Sequence, residues 1–121
     1  MTQANVIKFS QTGGPEVLQL ETVDLPDPLS GEVQIRQTAM GLNFAEVALR
    51  MGNYPIAAQL PSGIGNEAAG VVEKVGPDVT GFKHGDRVCY FGAVPGSYAT
   101  HRNMTVDRLL KTPDGISDEI A

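Results

Sequence analysis

Polar and apolar residues alternate along Glu32-Val33-Gln34-Ile35-Arg36-Gln37-Thr38-Ala39, the period of two that marks a half-buried strand. Short apolar runs of the same kind recur. Asn5-Val6-Ile7-Lys8-Phe9 predicts a first strand, Gly13-Gly14-Pro15 the turn after it, and residues 17–23 its antiparallel partner. Pro26 and Pro28 mark a surface loop, because proline brings no donor to a ladder. Residues 69–75 predict a strand rich in small side chains, ended by Gly76-Pro77. Residues 87–91 and 97–101 flank Gly92 to Gly96, which predicts a hairpin with a five-residue connection.

One stretch breaks this pattern. Phe44, Val47, Ala48 and Met51 fall at i, i+3, i+4 and i+7, the stripe of a short helix. Asn43 stands where an N-cap belongs, Glu46 completes a capping box, and Gly52 suits the position past the C-terminus. Fourteen glycines and eight prolines punctuate the rest. An all-β, barrel-like domain with one short helix follows from the residues alone.

Composition narrows the function classes. With 121 residues the chain suits one domain with a modest core. A net charge of −5 without a Lys/Arg run argues against a nucleic-acid partner. The single cysteine, Cys89, excludes an internal disulfide and any multi-cysteine metal site, and its place between Val88 and Tyr90 predicts a small buried hydrophobe. The first residues lack the features of a signal peptide, and no apolar run is long enough to span a membrane; a cytoplasmic address is expected.

The chemistry enters at Gly65-Asn66-Glu67-Ala68-Ala69-Gly70-Val71-Val72-Glu73-Lys74-Val75-Gly76. Glycine, one residue, glutamate, two residues, glycine, five residues, glycine is the spacing of the zinc alcohol dehydrogenase signature, with Asn66 where the histidine stands. Gly13-Gly14-Pro15-Glu16-Val17-Leu18, Gly41-Leu42-Asn43-Phe44 continuing to Tyr54-Pro55, Gly81 to Val88, and Gly96-Ser97-Tyr98-Ala99 add further blocks in order. Over residues 6–113 the chain resembles the zinc-free quinone oxidoreductases, the zeta-crystallin relatives among the medium-chain dehydrogenases/reductases. The resemblance implies a mainly β fold: a GroES-like, partly open β-barrel with one or two short helices, forming the substrate-binding domain over residues 1–121.

The resemblance also implies a site. Asn43 takes the place of the first zinc-ligand cysteine and Asn66 that of the histidine, so no metal is expected; zinc acting as a Lewis acid needs three protein ligands and an open position. Hydride transfer from NADPH to a quinone or conjugated enone is the implied reaction, with Asn43 and Tyr54 as catalytic and cofactor-contacting residues and a homodimer as the full-length form. Ala48 stands where related enzymes often carry a second tyrosine, which bears on substrate preference. The bland readings are a helix cap for Asn43 and an exposed loop residue for Tyr54. Glu67 is expected to be structural, bonded to backbone or to an arginine. Gly65 and Gly70 are expected to allow close packing, Asp86-Arg87 to form a turn with an ion pair, and His84 and His101 to be solvated.

No glycine-rich phosphate loop opening a βαβ unit occurs in the chain, so the Rossmann domain that carries the cofactor phosphates in this family lies outside it. The isolated chain is therefore expected to be inactive. A non-catalytic GroES-like binding or assembly module is the alternative.

Overall fold

Strand β3 (Glu32–Met40) has a partner along each edge, and the larger sheet is built around it. The computed structural model describes residues 1–92 and 94–121. The elements are β1 (Thr2–Phe9), β2 (Gln19–Leu25), β3, α1 (Phe44–Met51), β4 (Ser62–Gly63), β5 (Glu67–Val75), β6 (Arg87–Phe91), β7 (His101–Thr105) and β8 (Leu110–Lys111), with single 3-10 turns at Pro15–Val17 and Val106–Arg108. Five strands form one antiparallel sheet in the order β7-β3-β5-β6-β8. Three form a second in the order β2-β1-β4. A bridge from Val6 to Ala99 ties the sheets, and among the described residues they do not close into a barrel. This is the mainly β, partly open architecture expected.

Each sheet has its own core. Val33, Ile35, Val72, Val88, Tyr90 and Met104 pack on the larger sheet, while Phe9, Val17, Leu49 and Ile64 join β1 to α1. Burial of apolar area at about 25 cal/mol per Å² drives both. Among the described residues no helix is long and apolar enough to cross a membrane.

The signature glycines are explained by close approach. A Cβ on Gly70 would lie 2.2 Å from the Arg36 carbonyl oxygen, one on Gly76 2.2 Å from that of Leu29, and one on Gly65 2.1 Å from Ser97 Oγ. At Gly65 a φ of 100° also disfavours any side chain. The first two contacts involve backbone, which cannot swing away.

Several expectations are corrected. Residues 87–91 and 97–101 do not form a hairpin: β6 lies between β5 and β8, and the strand after it starts only at His101, as β7, and pairs with β3. The edges of β6 are already taken, so the chain after it crosses to the far side of the sheet; Ala93, within the expected connection, lies outside the described residues. In α1, Phe44 is 82% and Met51 49% exposed, and the buried residues are Glu46 and Leu49. Tertiary packing of Leu49 against Phe9, Val17 and Ile64 turns the helix away from its apparent stripe. Gln34 is fully buried rather than outward, and its Nε2 donates to Asn103 Oδ1. Asp86 and Arg87 do not pair with each other: Asp86 lies near Lys83 and Lys111, and Arg87 binds Asp118 at 2.7 Å. His101 is partly buried, 3.4 Å from Glu73, not freely solvated. Cys89 is half-buried.

Candidate functional site

Helix α1 begins where the sequence places its cap. Asn43 has extended backbone (φ −126°, ψ 153°), the Glu46 carboxylate accepts from its N–H at 2.6 Å, and Gly52 ends the helix in the left-handed region at φ 82°. This geometry aims the first turn of α1, with Ala45 and Glu46, into a cleft of about 660 Å³. Opposite stand Pro61, Ser62, Asn66 and Phe91, and the loop after α1 adds Tyr54 and Ile56. The lining is mainly apolar with a few polar groups, the usual composition of a small-molecule site.

Tyr54 is thus on the cleft wall, half exposed. Asn43 stands one residue before α1, and its side chain turns to the other side: Nδ2 donates to Glu67 Oε2 at 3.0 Å. Glu67 belongs to a second, smaller depression of about 380 Å³ that also includes Gly41, and Phe91 lines both. Asn43 itself lines neither depression. Asn66, at the histidine position of the signature, faces the larger cleft. Glu67 was expected to bind backbone or an arginine; its partner is the Asn43 amide, and no spacing rule links residues 24 apart.

Glu46 was legible only as a capping residue, yet it is the most deeply buried ionisable group at the cleft, 3% exposed. Its Oε1 makes no hydrogen bond to the described residues. Burial, and then the Glu46 charge, push the Tyr98 hydroxyl above the ordinary tyrosine value. The wall carrying Val94 and Pro95 is held from behind by Arg102, whose Nη2 donates to the Val94 carbonyl at 3.0 Å.

Asn43 and Asn66 bring amides where a metal centre would need imidazole, thiolate or carboxylate. Among the described residues no group of three or more His, Cys, Asp or Glu is arranged to hold a metal ion. The cleft can take a flat, largely apolar ring and offer it a phenol and amides.

Comparison with known proteins identifies the family of the fold. The family model described as the alcohol dehydrogenase GroES-like domain matches residues 29–114. A quinone oxidoreductase of Pseudomonas aeruginosa is 45% identical over 118 residues, 98% of this chain but 36% of that protein. Quinone oxidoreductase 1 of Escherichia coli is 43% identical over the same shares. The crystal structure of Escherichia coli quinone oxidoreductase complexed with NADPH superposes with a TM-score of 0.89 at 43% identity, covering 95% of this chain and 35% of that one. The chain thus spans little more than a third of the length of these relatives.

Proposed function

The chain belongs to the alcohol dehydrogenase GroES-like domain family, and on that premise we propose that it is the substrate-binding domain of an NADPH-dependent quinone oxidoreductase that works without zinc. The observation that carries this reading is 45% identity to a quinone oxidoreductase along 98% of the chain. The amides at Asn43 and Asn66, in place of the cysteine and histidine that hold zinc in related enzymes, support the metal-free part.

The cleft fits one end of the cofactor. No lysine or arginine lines it among the described residues, so it suits an uncharged nicotinamide and quinone ring rather than phosphates. The phosphates then belong to a Rossmann domain outside these residues. When bound, NADPH supplies the hydride. A quinone or conjugated enone is already electrophilic, so the chain need only orient and shield it. In this reading the Tyr54 hydroxyl and the Asn43 amide orient the two rings, while Leu49, Ile56 and Phe91, which line the cleft, exclude water.

The test is quinone-dependent oxidation of NADPH by the enzyme that carries this chain, with and without a zinc chelator. Turnover insensitive to the chelator is expected. Absence of quinone-dependent turnover, or its loss with the chelator, would count against the proposal.

A further inference from the structure

Glu46 carries the one formal charge among the described residues that line the larger cleft. The residue is 3% exposed, and its Oε1 has no hydrogen-bond partner among the described residues. Oε2 accepts from the Asn43 N–H at 2.6 Å, a neutral donor. Arg50 stands one turn further along α1, but its Nε donates to the Gly13 carbonyl at 3.2 Å. None of the ion pairs among the described residues includes Glu46. Its place in the first turn of α1 suits a negative charge. The cleft thus holds a carboxylate that is buried and has no counter-ion.

A charge so placed acts over several ångströms, because little solvent screens it. Its field reaches Tyr98, whose hydroxyl is pushed up first by burial and then by the Glu46 charge. The depression that shares Phe91 adds Glu67, Asp118 and Glu119 and no lysine or arginine. Arg87 pairs with Asp118, at 2.7 Å, and with neither glutamate. A negatively charged guest meets like charge in both depressions, and a neutral one does not.

We propose that Glu46 is a specificity-determining residue that excludes anionic acceptors from the cleft, so that neutral quinones and enones are reduced in preference to those bearing a carboxylate. This rests on the reading of the cleft as the acceptor site and narrows the substrate class within it. The selection comes from a repulsive element rather than from an added contact. It is also fixed in place, since Glu46 cannot swing away from a guest without giving up its bond to the Asn43 N–H.

A matched pair of acceptors tests this: a quinone bearing a carboxylate, and the methyl ester of the same quinone. The readout is the ester-to-carboxylate ratio of kcat/KM in the enzyme that carries this chain. The two compounds differ in intrinsic reactivity, but that difference cancels when the ratio is compared between variants. Glu46→Gln removes the charge and keeps an oxygen for the Asn43 N–H, as a capping box allows. It should lower the ratio about tenfold. Gln59→Lys places a cation on an exposed part of the cleft lining and should lower the ratio about threefold, less because solvent screens it. Loss of structure alone would depress both acceptors and leave the ratio where it was.

The outcomes separate the two layers. If the parent enzyme does not reduce the ester, the cleft is not a quinone site and both readings fall. If it reduces the ester but Glu46→Gln leaves the ratio unchanged, the quinone reading stands and the role of Glu46 is overturned. Should Glu46→Gln fail to fold, Gln59→Lys decides in the same way: a lowered ratio supports charge selection in the cleft, and an unchanged one overturns it.

Discussion

The Tyr90 hydroxyl donates to Gln37 Oε1 in the interior, linking β6 to β3 over the top of β5. The two side chains can meet because β5 presents Gly70 opposite Gln37 and Ala68 opposite Tyr90, both nearly without side chains. Gln37 Nε2 donates onward to the carbonyls of Ser97 and Ala99 at 3.0 and 2.8 Å. Arg102 stacks over the Tyr90 ring at 5.4 Å and holds Val94. One buried amide thus anchors the loop that becomes the cleft wall.

Removing the Tyr90 hydroxyl leaves Gln37 Oε1 buried without its donor. Tyr90→Phe should lower stability by about 1–3 kcal/mol, the cost of an unsatisfied buried polar group. Urea denaturation should show a lower midpoint with an unchanged slope. An unchanged midpoint would mean that the interior hydrogen bond contributes little.

Gly70→Ala should be among the most damaging single-methyl additions, because its Cβ would meet the Arg36 carbonyl at 2.2 Å and the Gln37 Cα at 2.9 Å. A loss of about 3 kcal/mol or more is expected from separating β3 and β5. Gly31→Ala is the control: nothing lies within 4 Å, and only φ 79° opposes it, so about 1 kcal/mol is expected. Equal losses in the two variants would contradict the packing explanation.

The Asp118 carboxyl is held below the ordinary carboxylate range, first by the Thr38 hydroxyl and then by Arg87. Its folded-state value lies below its unfolded one, so it stabilises fully above the ordinary value near 3.9 and loses that effect as pH falls through the folded value. Asp118→Asn should therefore cost about 1 kcal/mol at pH 7, a modest figure because the Arg87 partner is partly exposed to screening solvent. The gap between parent and variant should narrow as pH falls below the ordinary carboxylate range and vanish once it has passed the lowered folded-state value. A gap that stays constant with pH would show that the charge of Asp118 is not what matters.

At the cleft, Tyr54→Phe should reduce turnover with quinone while leaving the melting temperature unchanged, since it deletes one hydroxyl from a half-exposed loop residue. Asn43→Ala should reduce both, because it removes the bond to Glu67 at the start of α1, worth about 1 kcal/mol. Steady-state kinetics alongside calorimetric melting would separate the two effects. Identical profiles for the two variants would argue against distinct roles.

Purified without a metal-binding tag, the chain should contain no stoichiometric zinc by elemental analysis. By itself it should show no micromolar affinity for NADPH in calorimetry, since its net charge of −5 opposes a polyanion. One dialysis-resistant zinc per chain, or tight NADPH binding, would contradict these expectations.

Local chemistry was readable in advance, and chemistry that depends on distant partners was not. The cap of α1 is decided within ten residues, so Asn43, Glu46 and Gly52 could be placed from their order alone. Which face of that helix is buried is decided by Phe9, Val17 and Ile64, and the Phe44 to Met51 stripe pointed the wrong way. The alternation in β3 suggested an outward Gln34, whereas it is buried and donates to Asn103; Gln37 shares the inward phase of Val33 and Ile35, and its partners Tyr90, Ser97 and Ala99 lie far along the chain. Nearness in sequence suggested pairing of β6 with the segment after it, but both edges of β6 were already occupied. Tyr54 and Asn43 were singled out through motif resemblance, and of the two Tyr54 lines the cleft. The joining of Asn43 to Glu67 required the fold.

Because β3 pairs with β7, residues 32–36 find their partners only at residues 101–105. A ribosome translating this chain emits β3 long before β7, the edge strand that seals it. Until Thr105 has emerged, nascent β3 carries an open row of backbone donors and acceptors next to buried-type side chains such as Val33 and Ile35. Such edges invite pairing with neighbouring chains. Stalled or prematurely terminated products ending near Gly92 should therefore be far more dependent on chaperones than those ending beyond Lys111, although the two differ by only a short segment of sequence.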